Sequence, residues 1–342
     1  MRLTAQSITI VLIALLPNFL TSCQIKSTSR GEPGTVVIVA DEWDRPILQP
    51  FISRTFEREI MTPQVEHHFT ILWKDASQLG ELTHYPLIIM AGHLEGEGPT
   101  ARMLKQMIKG PIEERVRRGE LGVFRKKDPW ALRQLLLVVV GTNRRHLGEN
   151  LARYNDSLYH WAYQFEIFRL ITDMFRRGEQ VKLERELERR YGFTFRIQHD
   201  YILAEENDTL HYWRLLRHHP ERWVMVAWGD LTPPETLTAQ MVWERRKQLG
   251  LTFYDPVTVL EDYLTAQRTV FQNQPSILIR GLWATLDPTG GGPFFSYAFA
   301  DTMKKRYYII DGAVFAPGER KMPYLWQVDA IAHTFRFKEL NN

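Results

Sequence analysis

One amphipathic repeat constrains the fold of this chain more than any other feature. Between Leu147 and Phe175, apolar residues recur every three or four positions, which is the spacing of one face of an α-helix. The pattern predicts a helix near 144–177 that Asn143 can cap at its start and Gly178 can end. Such a helix extends about 45 Å. Because its apolar face is rich in aromatic residues, we expect it to pack in the core of its own chain and not in a coiled coil. The stripe consists of Leu147, Leu151, Tyr154, Leu158, Trp161, Phe165, Phe168, Ile171 and Phe175.

Two continuous apolar runs predict buried strands in the N-terminal half. Thr35–Ala40 and Leu135–Val140 do not alternate with polar residues, which is typical of strands covered on both faces. Weaker patterns predict strands at 69–73 and 87–90, a helix at 47–60, and a helical stretch at 99–118 that is broken at Gly110–Pro111.

The C-terminal half has a different pattern. Strands are predicted at 193–197, 210–216 and 223–228, paired antiparallel strands at 276–286 and 306–316, and helices at 180–191, 236–248, 256–270 and 327–337. The sequence therefore predicts an α+β fold, with a mixed, largely antiparallel sheet and packed helices. We divide it into an N-terminal α/β lobe, 35–178, and a C-terminal α+β lobe, 179–342.

The first 22 residues have the pattern of a secretory signal. Arg2 precedes an apolar run from Ile8 to Leu16, which is shorter than the roughly 20 residues that a membrane-spanning helix needs. The segment Leu20–Cys23 then resembles the lipobox of bacterial lipoproteins, with small Ser22 before the cysteine. This resemblance implies cleavage before Cys23 and attachment of acyl chains such as palmitate to it. The alternative is a signal anchor in which Cys23 is incidental.

The lipobox resemblance sets the expected location. Residues 23–34 are polar and rich in Ser, Thr, Gly and Pro, which predicts a flexible tether between lipid and body. We expect the protein to be anchored to a membrane through its N-terminal lipid, on the periplasmic side or in the outer membrane.

Composition excludes several other classes. The 342 residues are 44% hydrophobic and 24% charged with a net charge of +3, which argues against a disordered chain, a multi-pass membrane protein and a strongly basic nucleic-acid binder. A single cysteine excludes an intrachain disulfide and a cysteine-rich zinc site. None of the 11 histidines has the helical spacing of a metallopeptidase, so we expect no metal and no cofactor.

Motifs along nearly the whole predicted mature length resemble the DUF4837 family, lipoproteins of unknown function. The most specific are Arg280-Gly-Leu-Trp283 and Gly291-Gly-Pro-Phe294. The others are Val39–Trp43, Thr62–Glu66, Phe69, Asp128–Ala131, Gln134, Tyr191–Phe193, Phe315–Pro317 and Lys321. The resemblance implies a location and a class but no activity. The chain departs from the family pattern by a third glycine, Gly290, and by a divergent middle.

The glycine-rich segment is the strongest candidate for ligand binding. Glycines allow a ligand to approach the backbone closely, successive N–H groups can hold an anion, and Arg280 can pair with it. The candidate residues are Arg280, Trp283, Asp287, Gly290, Gly291 and Gly292. The alternative is a tight turn between two strands, with Trp283 in the core.

Asp41 and Glu42 are candidate catalytic residues. They follow the first predicted strand, and ligands of open α/β sheets bind beyond the carboxyl ends of strands. A carboxylate there can act as a general acid or base, or it can simply cap a helix.

Three functional hypotheses follow. The leading one is a lipid-anchored envelope protein that acts as a non-enzymatic binding or assembly module, with an envelope protein as partner. The second is a hydrolase of envelope glycan or peptide, in which Asp41 or Glu42 shares a cleft with Arg280. The third is a binder of small anions at the glycine-rich segment. The basic stretches Arg115–Arg118 and Arg125–Lys127 are either a solvated face or a contact with lipid headgroups near the anchor.

Overall fold

The apolar runs form the centre of a parallel sheet in the computed structural model, which describes residues 26–231, 236–287 and 289–338. The signal segment and Cys23 lie outside the described residues. The elements of the N-terminal half are β1 (Thr35–Val39), α1 (Arg45–Phe56), β2 (Glu59–Ile60), β3 (Glu66–His67), β4 (Thr70–Lys74), α2 (Leu79–Leu82), β5 (Leu87–His93), α3 (Pro99–Met107), α4 (Pro111–Arg117), β6 (Val123–Lys127), β7 (Leu135–Gly141) and α5 (Arg144–Met174).

The first sheet has five strands in the order β4-β1-β5-β7-β6. Its first four strands are parallel, and β6 pairs antiparallel with β7 at the edge. Every residue of β5 and β7 is buried, because helices cover both faces of the sheet.

The C-terminal half forms a second sheet. Its elements are α6 (Val181–Tyr191), β8 (Phe193–Thr194), β9 (Ile202–Asn207), β10 (Tyr212–Arg217), β11 (Glu221–Asp230), α7 (Ala239–Gly250), β12 (Val257–Phe271), β13 (Gln274–Thr285), β14 (Gly291–Asp301), β15 (Arg306–Phe315), α8 (Met322–Ala332) and β16 (Arg336–Phe337). Seven of these strands pair antiparallel in the order β12-β13-β14-β15-β11-β10-β9, and the α+β prediction is confirmed.

The long helix connects the two sheets, and its predicted extent is confirmed. The side chain of Asn143 accepts the backbone N–H of His146 at 3.0 Å and caps α5. The helix continues to Met174 and, after a short 3₁₀ turn, the chain leaves it at Gly178. α5 packs on β7 and against α8, while α8 packs on β15 and β11. Apolar side chains from both sheets therefore join one core.

Three secondary-structure predictions for the C-terminal half are wrong. Residues 256–270 form strand β12 and not a helix. The strands predicted at 276–286 and 306–316 do not pair with each other, because β14 lies between them. The last helix starts at Met322, before the predicted residue 327. Antiparallel pairing between consecutive strands decides the first two cases, and local periodicity does not report it.

The described part of the predicted tether is bound to the body. Thr28 forms a β-bridge with Leu132, and the Ser29 N–H donates to the Leu132 carbonyl at 2.9 Å. The Gly34 N–H donates to Oε1 of Glu166 at 3.1 Å. Residues 27–34 are therefore not a free tether, because these backbone groups have partners on the body.

Within the described ranges, no helix combines the length and the apolar character needed to cross a bilayer.

Candidate functional site

Asp41 is engaged in supporting a helix. Its buried carboxylate accepts the backbone N–H groups of Thr100 at 2.8 Å and Ala101 at 3.1 Å, which stabilises the start of α3. Glu42 is exposed and lies beside Arg45 and Trp73. Asp41 follows β1 of the first sheet, whereas Arg280 is in β13 of the second sheet, and the two have different neighbours. The arrangement that the hydrolase hypothesis needs is therefore not formed by Asp41.

A polar cluster close to Asp41 joins Asp44, which also follows the first predicted strand, to His93 and Arg144, two residues that the sequence does not connect with it. Asp44 is fully buried and accepts Nε of Arg144 at 3.0 Å, and Nε2 of His93 lies 3.5 Å from the same carboxylate oxygen. The ring nitrogens of His93 and the hydroxyl of Thr100 have no hydrogen-bond partner among the described residues. These groups lie at the carboxyl ends of β1 and β5, where buried water can complete their hydrogen bonds.

The glycine-rich segment forms a tight hairpin. The Gly290 N–H donates to Oγ1 of Thr285 at 2.9 Å, and Gly291 and Gly292 pair with β13 as the first residues of β14. A Cβ atom on Gly292 would lie 2.0 Å from the carbonyl oxygen of Val314, so this position requires glycine for close approach of the backbones. The segment is thus a turn between strands and not an open nest of free N–H groups.

The other three residues of the predicted binding set, Arg280, Trp283 and Asp287, lie at different places along this hairpin and do not form one site. Trp283 is buried and contacts Trp223 with a centroid distance of 4.9 Å, while Asp287 is exposed in the turn. Arg280 lies further along β13, on the face that points toward α8. The structure therefore places Trp283 and the three glycines together, and it places Arg280 next to them but in a separate cavity.

A cleft lies at this end of the second sheet, and we call it the sheet-end cleft. Its volume is about 590 Å³, which is within the usual range of roughly 300–1,000 Å³ for ligand sites. The β13–β14 turn, the end of β15, the start of α8 and the loop after β2 form its walls. Among its lining residues are Pro63, Leu282, Trp283, Phe315, Pro317 and Lys321. Several motifs of the DUF4837 resemblance, far apart in sequence, thus meet at one place.

Lys321 is a buried cation in this cleft. Only 7% of the residue is exposed, and its Nζ donates to the backbone carbonyl of Glu319 at 2.6 Å. In the described part of the chain it forms no ion pair within 4.0 Å. The nearby carboxylate of Glu66 accepts the backbone N–H groups of Lys321 and Met322 at 2.7 and 3.1 Å, so it caps α8.

Arg280 lines a small cavity that is separate from the cleft but close to it along β13. Arg280 and Leu282 are two positions apart on one face of β13, and Leu282 lines the cleft. The cavity has a volume of about 20 Å³, enough for one water molecule. His68, Trp326 and Asp329 also line it. Across the described ranges, the guanidinium of Arg280 has neither a hydrogen-bond partner nor an ion-pair partner.

Asp329 is the centre of a buried hydrogen-bond network below Arg280. Its carboxylate accepts the hydroxyl groups of Tyr163 at 2.6 Å and Tyr297 at 3.0 Å, and Nδ1 of His333 lies 3.2 Å away. Burial raises the pKa of Asp329, but His333 and the tyrosine hydroxyl outweigh it and hold that pKa below its ordinary value. Burial raises the pKa of both tyrosines well above 10. The carboxylate is therefore a fixed anion whose oxygens are occupied.

His68 is held neutral in the same region. It stacks on Trp326 at 4.4 Å, and its Nδ1 is 2.6 Å from the hydroxyl of Tyr159. Burial, followed by the positive charges of Arg280 and Arg58, lowers the pKa of His68 to about 3. Nothing in the sequence around His68 indicates this network.

Comparison with known proteins supports the family resemblance for the C-terminal part. Residues 180–334 match the model of DUF4837, a domain of unknown function. This range contains Arg280, Trp283, the three glycines and Lys321. Among curated proteins there is no match to the chain.

Two solved structures resemble part of the chain at low scores. One is a point mutant of the protein Mog1, with 10% identity, 43% of this chain and 92% of that chain covered, and a TM-score of 0.29. The other is the Ran-binding protein Mog1p of Saccharomyces cerevisiae, with 12% identity, 43% and 91% covered, and a TM-score of 0.30. At these TM-scores the likeness carries no conclusion about fold or function.

Proposed function

We propose that this chain, whose residues 180–334 form a DUF4837 domain, is a non-enzymatic binding protein that takes up an anionic ligand in the sheet-end cleft. The observation that carries the proposal is the pair of cations at the cleft and the nearby cavity. Lys321 is buried and Arg280 is half-buried, and neither has a carboxylate within ion-pair distance among the described residues, although cations withdrawn from water are usually paired.

The neighbouring acidic groups are already engaged. Glu66 caps α8, and Asp329 is surrounded by hydroxyl and imidazole donors. A ligand anion can therefore supply the missing negative charge. Since Arg280 offers a planar fork of donors and Lys321 a point charge, a carboxylate or a phosphate fits both.

The walls of the cleft indicate the rest of the ligand. Leu282, Phe315 and Pro317 are apolar, so the anion is expected to carry an aliphatic or aromatic body. Binding is favoured over catalysis because the buried or partly buried carboxylates of Asp41, Glu66 and Asp329 serve as helix caps or as hydrogen-bond acceptors.

The first prediction concerns binding. Octyl phosphate or decanoate should raise the melting temperature of the protein, because a ligand that binds only the native state stabilises it. Arg280→Gln and Lys321→Gln should each weaken binding by about tenfold or more, since each loses a charge-assisted hydrogen bond. Thermal shift and calorimetric titration measure both effects.

Arg320 offers a matched control. It is adjacent to Lys321 but half-exposed, and it lies 3.6 Å from Glu32 and 3.9 Å from Glu66. Arg320→Gln changes the charge by the same amount and should leave the affinity unchanged. An equal loss in this variant, or no stabilisation by any of the anions, would contradict the proposal.

We also propose that the protein is a lipoprotein of the cell envelope, cleaved before Cys23 and acylated there, and held on the periplasmic side or in the outer membrane. The lipobox resemblance at Leu20–Cys23 supports this. An envelope protein is the partner expected for a binding module at this location.

The second prediction concerns this anchor. Intact-mass measurement of the chain from membranes should show loss of residues 1–22 and addition of acyl chains. Cys23→Ser should leave the chain without acyl chains, because the thioether bond needs the thiol. A native chain that retains its leader, or one with an unmodified thiol in the soluble fraction, would refute the anchor.

A further inference from the structure

A second groove is formed by the N-terminal half of the chain, between β6, β7 and α5. We call it the basic groove. Its volume is about 420 Å³, and Arg125, Lys127, Trp161, Phe165, Phe168 and Thr172 are among the residues that line it. None of these residues belongs to the sheet-end cleft or to the matched family range.

Two cations of the basic groove lack an acidic partner. Arg125 and Lys127 are exposed, and as alternate residues of β6 they point to the same face. In the described part of the chain neither forms an ion pair, while two other groove arginines are neutralised: Arg133 by Asp173 and Arg169 by Glu166. The rim of the groove therefore carries two free positive charges.

Large aromatic side chains lie beside these charges. Phe168 is 69% exposed, although it belongs to the apolar stripe that the sequence assigns to the core. Trp161 and Phe165 are half-buried, and the guanidinium of Arg125 lies 5.2 Å from the centre of the Trp161 ring. Exposed aromatic residues next to unpaired cations are typical of protein surfaces that bind at a membrane interface.

The N-terminal segment is fixed at the same groove. Nζ of Lys26 donates to the carbonyl of Asp128 at 2.6 Å, and Oγ of Ser29 donates to the carbonyl of Arg133 at 2.5 Å. Asp128 and Arg133 themselves line the groove. Cys23 precedes Lys26 by three positions, which an extended chain spans in at most about 10 Å.

We propose that the basic groove is the membrane-facing surface of the protein, and that its occupant is the anionic headgroup layer of the bilayer that holds the Cys23 lipid. Arg125 and Lys127 contact lipid phosphates, and Phe168 enters the interface. This inference rests on the proposed lipid anchor. It follows because the short distance to Cys23 brings this face to the bilayer, and because the free charges complement anionic lipid.

The test uses the full acylated chain in vesicles of phosphatidylcholine with phosphatidylglycerol. Phe168→Cys introduces the only free thiol, since Cys23 carries the lipid, and it is labelled with a nitroxide. Collision rates with oxygen and with a water-soluble nickel complex measure whether the label is in lipid or in water. We expect the label at position 168 to collide more often with oxygen, which concentrates in lipid, than with the nickel complex.

Met303→Cys is the control position, because Met303 is 92% exposed in the β14–β15 turn of the second sheet. Its label should remain in water. If the label at position 168 is as accessible to nickel as the label at position 303, the inference is overturned.

Charge variants test the role of β6. Lys127→Gln should reduce the population with a lipid-exposed label at position 168 by about fivefold in anionic vesicles. Lys126→Gln is the matched control, because Lys126 is exposed on the other face of the same strand and should have no effect. Equal effects of the two variants would contradict the assignment of the groove.

Vesicle flotation separates the two proposals. A chain that does not float with these vesicles refutes the lipid anchor. A chain that floats while its label at position 168 stays in water retains the anchor and refutes the membrane-facing groove.

Discussion

Gly292→Ala should destabilise the protein by about 3 kcal/mol or more, or prevent folding. The new Cβ would lie 2.0 Å from the carbonyl oxygen of Val314, a backbone atom that cannot rotate away. Relief requires moving β14 away from its neighbours, which disturbs the pairing of Gly292 with Trp283. Urea unfolding followed by tryptophan fluorescence measures the loss in the free energy of unfolding.

Gly290→Ala is the matched control two positions earlier. Its Cβ would lie 3.3 Å from the Thr285 methyl group, a side-chain contact that can adjust. We expect a change within about 1 kcal/mol, of either sign, because alanine also restricts the unfolded chain. Similar losses in the two variants would show that close approach of the strands is not the reason for glycine at position 292.

The secondary structure was predictable from the sequence only where the pattern of apolar residues is local. The long helix and the central strands β1 and β7 were predictable, because their apolar patterns are continuous and local. Strand β14 was not, because Gly291-Gly-Pro293 has the composition of a turn and its strand conformation is imposed by β13 and β15. The sequence of β12 does not indicate a strand because, as an edge strand exposed on much of both faces, it lacks a clear alternation of apolar and polar residues.

The candidate site was predictable only in part. Arg280 and the glycines were identified from their motif, but the motif does not reveal that Arg280 lies near Asp329 and His68. Lys321 and Glu66 were noted only as family residues, and their meeting at the start of α8 depends on contacts across about 250 residues of chain. Asp41 was identified as a strand-end carboxylate, whereas its partners on α3 determine its role.

His68 is the second residue with a large expected effect. It is buried between Trp326, Tyr159 and Phe69, and among the described residues its imidazole ring has one hydrogen-bond partner, the hydroxyl of Tyr159. Protonation would place a positive charge near Arg280 and Arg58, and Asp329 offsets this only in part. Burial and the two arginines therefore lower the pKa of His68 to about 3.

This depressed pKa predicts acid sensitivity of the fold. Above the ordinary histidine pKa of about 6.5, His68 is neutral in both states and has no effect. As the pH falls from 6.5 toward 3, His68 becomes protonated in the unfolded chain but stays neutral in the native protein. The free energy of unfolding therefore decreases by about 1.4 kcal/mol per pH unit. The total loss is about 4–5 kcal/mol. Urea unfolding between pH 6 and 4.5 measures the slope.

His68→Gln removes the titrating group and should abolish this slope, even if the variant is less stable at neutral pH. Other groups remain in both proteins, including Glu184, whose pKa is raised by burial, so their contributions cancel in the comparison. If the variant does not fold, an NMR titration of the native imidazole gives the same information. The same dependence of unfolding free energy on pH in the variant, or titration of His68 near pH 6.5, would contradict the prediction. Either result would mean that the surroundings of His68, including Arg280 and the Asp329 network, do not prevent its protonation.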